Sequence, residues 1–385
     1  PASIIFLAPV KPSSSGWNTN FTVPSIWSWF CFNNLAAPRD KNLFINNRIV
    51  VLPSLVTKLT HEEIDLNPEF QRNEDLWNRT RMSRLIESIL LKLPLPVFYF
   101  DVSNPEKWIV VDGLQRLSSI KKFMVDKKLK LHNLEFLSEL NGKSYDDLDR
   151  NLKRVIEDTQ LITYQIEAQT PKKVRYSIFH RINTGGLVLN AQEIRQALNQ
   201  GGQGVQFLKD IAEDKVFKTI VGLKSNRMSD RELVLRFIAF KLPTYQEFSF
   251  NNMGEFLDDS MDKLDKIGNK DLFRKLKEEF LETLKFSENV LGEGHRFSRS
   301  IADEQKTNSL NRSLFDVITV CLSNIENKEK FLERKHLFLE KFLMLLKDEQ
   351  SEFTDAITRG TSGKGAVETR FKIMNELIRE VLNEN

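Results

Sequence analysis

The stretch that most constrains what this chain can fold into is Trp108–Phe123, which reads WIVVDGLQRLSSIKKF. Trp108, Ile109, Val110 and Val111 make a largely β-branched run that stops at Asp112-Gly113. From Leu114 the apolar positions change period. Leu117, Ile120 and Met124 recur at i, i+3 and i+7, the spacing of one helix face. The pattern predicts a buried strand that turns sharply through Asp-Gly into a helix. A helix start presents unpaired backbone N–H groups and the positive end of the dipole, and so can receive an anion. Gln115 and Arg116 would add amide donors and a fixed positive charge in that first turn. The same residues also read as an ordinary strand-turn-helix, with Asp112 as the cap and Arg116 in solvent, because Asp-Gly before a helix is common.

VDGLQRL (Val111–Leu117) resembles the DGQQR signature of the DUF262 family, the amino-terminal module of GmrSD-type restriction systems, which is related to the ParB/sulfiredoxin-like fold. Leu114 replaces the family's first Gln, while the Gln beside the Arg is kept as Gln115. Three further elements carry the likeness. Residues 65–72 with Trp77 are similar to I-x-x-P-x-F-Q-R-x-x-x-W, and residues 85–96 to L-I-E-S-I-L-L-x-x-P-x-P. Arg181–Arg195 is similar to R-I-N-x-G-G-x-x-L-x-x-Q-E-I-R. The resemblance runs from about Val50 to the carboxyl terminus.

The resemblance implies nucleotide chemistry at three loops. The catalytic set is Asp112, Gln115 and Arg116, with the amides of Gly113–Gln115 and the Arg116 guanidinium holding phosphate. Asp112 is the metal residue, and three roles stay open for it: orienting the loop, holding Mg²⁺ through water, or positioning the attacking water. Arg72 is a second phosphate clamp and Gln71 a polar orienting group. Asn183, Gly185 and Gly186 form the third nucleotide-binding loop, where adjacent glycines permit close backbone approach. Glu193 and Arg195 read as an internal ion pair bracing it. An NTP and Mg²⁺ are the implied cofactors.

The fold expected is α+β. Residues 1–47 form an irregular aromatic and Pro-rich extension, residues 48–190 a ParB/sulfiredoxin-like α/β domain that binds nucleotide, and residues 191–385 an all-helical domain. The extension contains FTVPSIWSWFCF (Phe21–Phe32), which has no charge; it lacks a basic start and a small-residue cleavage site, arguing against a secretory signal. A helix is expected at Thr80–Leu91, and another from Ala191, where Asn190 and Glu193 have capping-box spacing. Helical spacing then dominates, clearest at Arg231–Lys241, Asp271–Phe286, Ser309–Ser323, Lys328–Lys347 and Val367–Leu382. GTSGKG (Gly360–Gly365) is a plain loop: Gly365 stands where a Walker A loop needs Ser or Thr.

Composition narrows the function. Net charge is only +3 in 385 residues, so no global field points to nucleic acid, although Lys107–Lys130 concentrates basic residues. Two cysteines make neither a disulfide framework nor a metal cluster, which fits a reducing cytoplasm. No continuously apolar run reaches the roughly 18 residues of a membrane span. The five histidines are scattered, without metal-ligand spacing and without the histidine pair of an HNH nuclease. The reading is an NTP-binding and hydrolysing module of a prokaryotic restriction or anti-phage system, which regulates or recruits a partner nuclease or other defence subunit. The competing readings are a ParB-like DNA nuclease or nickase, and a non-enzymatic DNA-binding adaptor using Lys121–Lys130 and Lys172–Arg181.

Overall fold

The computed structural model describes residues 43–66, 77–182, 189–223, 227–242, 252–303, 305 and 308–383. All belong to one compact unit. Gln71, Arg72, Asn183, Gly185, Gly186 and the extension up to residue 42 lie outside the described residues.

A five-stranded mixed sheet anchors the amino-terminal part. Its strands are β1 (Ile45–Val51), β2 (Ile64–Asp65), β3 (Phe98–Asp101), β4 (Trp108–Asp112) and β5 (Gln160–Ile166), in the spatial order β1-β5-β3-β4-β2. β1 and β5 are antiparallel, as are β3 and β4, whereas β5–β3 and β4–β2 are parallel. β3 and β4 are covered on both faces. Phe98, Phe100 and Val110 enter one apolar layer, while Tyr99, Ile109 and Val111 enter the other. A strand buried on both sides reads as a continuous apolar run rather than an alternation, which is why Ile109–Val111 shows no period of two.

The first layer is built by α1 (Leu52–Thr60), α2 (Arg79–Leu90), α3 (Leu114–Ile120) and α4 (Arg150–Glu157). The helix expected after Asp112-Gly113 forms, but it changes to π-helical turns at Lys121–Val125. The second layer is built by α5 (Lys172–Ile182) and α6 (Ala191–Leu198), through Tyr176, Phe179, Ile194 and Ala197. The capping box read from Asn190 and Glu193 is present at the start of α6.

Ten helices follow among the described residues: α7 (Gln203–Ala212), α8 (Lys215–Val221), α9 (Ser229–Lys241), α10 (Met253–Lys266), α11 (Lys270–Leu291), α12 (Arg312–Ser323), α13 (Lys328–Glu333), α14 (Lys335–Lys347), α15 (Glu352–Thr358) and α16 (Lys364–Asn383). The Lys328–Lys347 pattern is thus two helices, broken at Arg334. Their core is rich in phenylalanine, with Phe237 and Phe280 centroids 4.6 Å apart and Phe240 and Phe371 5.0 Å apart. Inside it, Arg236 grips Asp316 by two hydrogen bonds of 2.8 and 2.6 Å, and Arg370 approaches the same carboxylate at 3.4 Å. The helical and sheet-bearing parts meet through α10. Asp258 pairs with Arg195 at 2.7 Å, Asp262 with Lys172 at 2.7 Å, and Asp265 accepts the Gly204 N–H at 2.9 Å.

Glu87 of α2 fastens the segment after α3. It is buried and accepts the backbone N–H groups of Glu135, Phe136 and Leu137 at 3.1, 2.7 and 2.9 Å. Burial pushes its carboxyl up, but those donors and nearby Arg84 pull it further down, and the net shift is downward. A lowered folded-state pKa adds stability above the ordinary carboxylate range, and that stability is lost as pH falls through the folded value. Glu87→Gln should cost about 1–3 kcal/mol at neutral pH. In thermal melts at stepped pH, its gap from wild type should narrow below about pH 4.

Candidate functional site

β4 ends at Asp112, and the chain turns into α3 through Gly113, whose φ is +104°. That left-handed conformation disfavours any side chain, and a second constraint reinforces it. A Cβ on Gly113 would overlap the Phe98 ring of the adjacent strand. Gly113, not Asp112, occupies the cap position of α3, and no side chain caps the helix. This corrects the reading of Asp112 as a helix cap. The reason is steric: with the turn made at Gly113, the Asp112 side chain belongs to the strand end.

Asp112 instead accepts from Arg116 Nη2 at 3.0 Å and keeps part of its carboxylate in solvent. Arg116 is only 8% exposed. Its guanidinium lies 4.2 Å over the Phe98 ring and donates to the carbonyl oxygens of Pro96 and, at 3.0 Å, Val97. Burial lowers its pKa, with Asp112 opposing the shift. Arg116 therefore faces inward, stitching the turn to the strand entry rather than standing in solvent as the ordinary reading had it. Beside it, Tyr99 stacks on Tyr164 at 5.2 Å, and burial, Tyr164 and Asp112 all push its phenol up, so it stays neutral.

Gln115 is half-buried, and its Oε1 accepts the Trp77 N–H at 3.4 Å. Asp112, Gly113, Gln115 and Arg116 are thus brought together at one end of β4. Trp77 follows residues 67–76 and bonds Gln115, while Ile182 and Leu189 flank residues 183–188 and share the apolar layer of Val111.

Glu193 and Arg195 do not pair with each other, which corrects the expected brace. They project from different sides of α6. Glu193 completes the capping box, accepting the Asn190 N–H at 2.7 Å, and binds Arg227 at 3.0 and 2.6 Å. Arg195 is almost fully buried and reaches Asp258 at 2.7 Å. The partners Arg227 and Asp258 were missed because nothing local marks a contact that spans dozens of residues. Several cations of the two basic stretches are likewise paired: Lys121 with Asp126, Lys127 with Asp146, and Arg175 with Asp101. His180 is exposed on α5.

Among the described residues, no group of three or more His, Cys, Asp or Glu could hold a metal ion. Asp112 is a single partly exposed carboxylate, which suits the way Mg²⁺ is commonly held, by one or two carboxylates with water and substrate phosphates. No helix among the described residues is long and apolar enough to cross a membrane.

A mixed sheet in which an Asp-Gly turn leads from β4 into a helix makes this an α+β domain with polar groups gathered at a strand end. Residues 54–199 match the model of one such family, described as the GmrSD restriction endonuclease, N-terminal domain. The resemblance read from the motifs holds over that span, which is under half of the chain. No curated protein and no solved structure matches.

Gly113→Ala tests the turn. The new methyl group meets both positive φ and the Phe98 ring, so the variant should lose about 1–3 kcal/mol of stability, read as a lowered melting temperature. Combining it with Phe98→Leu should return part of the loss by relieving the overlap.

Proposed function

We propose that the sheet-bearing domain is the nucleotide-binding and nucleotide-hydrolysing module of a restriction or anti-phage system, and that it regulates or recruits a separate nuclease. The match of residues 54–199 to the GmrSD amino-terminal domain supports the restriction context. The observation that carries the nucleotide reading is the turn itself: a strand end where a glycine held by steric necessity, a half-exposed carboxylate and an amide side chain lie side by side. A ParB/sulfiredoxin-like ancestry for this sheet and a cytoplasmic setting belong to the same proposal.

Phosphoryl transfer asks a protein mainly to position groups and to neutralise charge. In this reading Gly113 lets phosphate oxygens approach the backbone, Gln115 orients them, and Asp112 holds or orients water. When bound, Mg²⁺ supplies charge neutralisation at the phosphates, with Asp112 as its protein contact. Arg116 serves the site through Asp112, since its other donors are committed to Pro96 and Val97. Arg72, Gln71, Asn183, Gly185 and Gly186 complete the phosphate grip. The adaptor reading is weakened by the carboxylates that already pair Lys121, Lys127 and Arg175.

The test is phosphate release from each of the four NTPs, with and without DNA and Mg²⁺, by wild type and Asp112→Asn. Turnover should be Mg²⁺-dependent, and Asp112→Asn should lower it by about 10²-fold or more while nucleotide still binds. If Asp112 only braces Arg116, the variant will lose melting temperature and turnover together. Robust plasmid cleavage by the lone wild-type protein would move the chemistry to DNA and favour the nuclease reading.

A further inference from the structure

We propose that Tyr99 and Tyr164 are ligand-contacting residues of the candidate site, their phenol O–H groups donating to phosphate oxygens of the bound nucleotide, an inference that rests on the nucleotide reading above. Two other described tyrosines spend their hydroxyls inside the protein. Tyr145 donates to Glu157 at 3.4 Å, and Tyr176 accepts from Asn199 at 2.7 Å. Among the described residues, neither Tyr99 nor Tyr164 has a hydrogen-bond partner for its phenol. Tyr99 is 9% exposed and Tyr164 is half-buried. A tyrosine covered to that extent ordinarily finds a partner for its hydroxyl.

The sheet register sets the pair beside Asp112. Tyr99 of β3 is the partner of Asp112 on one side and of Tyr164 of β5 on the other. Directly paired residues of adjacent strands stand side by side, with Cβ atoms about 5 Å apart. The two rings stack at 5.2 Å. Asp112 owes its place in this row to a bulge: Phe100 pairs with Val110 and Tyr99 with Asp112, so Val111 is the extra residue of β4. Bulges re-aim side chains and are common next to active sites. Burial pushes the Tyr99 phenol up, and so do Tyr164 and Asp112, which marks the three polar ends as neighbours. Solvent reaches this end of the face. The Asp112 side chain is 39% exposed, and Ile162 and its partner Ile49, the next pair along β5 and β1 on the Tyr164 side, are exposed.

The chemistry left open selects the occupant. The raised Tyr99 phenol keeps its proton at neutral pH and is therefore a donor without charge. Phosphate oxygens only accept, so one phosphate chain satisfies both O–H groups. Hydrogen bonds to a charged acceptor are also the stronger kind. The turn needs such donors, because the Arg116 guanidinium is committed to Pro96, Val97 and Asp112. Phosphate approaching the Gly113 backbone then meets Asp112 at the end of β4 and the two phenols on the strands beside it.

The experiment uses the full chain with Mg²⁺ and takes as probe whichever of ATP, GTP, CTP and UTP binds tightest. Calorimetry gives its affinity, and competition gives that of inorganic tripolyphosphate, for wild type, Tyr99→Phe, Tyr164→Phe and Tyr145→Phe. Melting temperatures are measured without nucleotide. Phenylalanine keeps the ring and its stacking and removes only the hydroxyl. Tyr99→Phe and Tyr164→Phe should each weaken nucleotide and tripolyphosphate together, by about tenfold or more. Their nucleotide-free melting temperatures should hold or rise, because the lost hydroxyls have no partner. Tyr145→Phe, in the other apolar layer, should leave both affinities unchanged. Unchanged affinity in either variant removes that tyrosine from the site; in both, it overturns the inference and leaves the nucleotide reading standing. Weaker nucleotide binding with tripolyphosphate unaffected would assign the phenols to sugar or base and overturn the phosphate contact, as would failure of tripolyphosphate to compete in wild type. Weaker binding matched by a lowered nucleotide-free melting temperature would show that the hydroxyls brace the fold, and would also overturn it. Failure of wild type to bind any of the four nucleotides removes both proposals.

Discussion

The contact between Gly113 and the Phe98 ring is the constraint on which the amino-terminal part depends. The chain has to leave β4 and enter α3 within one residue, and that residue faces an aromatic ring on the neighbouring strand. Only a glycine fits, and only with positive φ. Arg116 then lies over the same ring and ties the turn to the Pro96 and Val97 carbonyls and to Asp112. Strand end, helix start and carboxylate are held as one piece. Pre-organisation of this kind is what a binding site needs, because groups already in place lose little freedom when a ligand arrives.

Farther out, the layers are joined by ion pairs, most of them with a buried member. Arg195 with Asp258, Lys172 with Asp262, and Arg236 with Asp316 and Arg370 link helices well apart in the chain. Such pairs add little net stability, since desolvation cancels much of the attraction, yet breaking one leaves an uncompensated charge inside. Their effect here is to fix which helix faces which. α10 presents Asp258, Asp262 and Asp265 to three different partners and so sets the angle at which the helical part meets α5, α6 and α7.

The geometry redistributes the roles within the signature. Arg116, the residue that looks most like a phosphate ligand in sequence, turns inward as the strut of the turn. Asp112, which looks like a cap, keeps solvent contact and accepts from Arg116 instead. Gln192 and Gln196 are buried with open hydrogen-bonding capacity. Polarity in sequence states that a group can form hydrogen bonds. Which partner it finds depends on burial.

The sequence by itself determined the elements that local rules govern. The period change at Asp112-Gly113 announced β4 and α3, the Asn190–Glu193 spacing announced the cap of α6, and helical spacing announced the carboxyl-terminal half. These depend on residues within a few positions of one another, so the chain carries the information locally. The break at Arg334 and the π-helical turns at Lys121–Val125 escaped, because apolar period alone does not register a local change of helix type or a one-residue stop. Only the tertiary structure decided the partners: Arg227 for Glu193, Asp258 for Arg195, the Pro96 and Val97 carbonyls for Arg116. Those choices follow from which surfaces pack together, and packing brings side by side groups that no spacing in the chain relates.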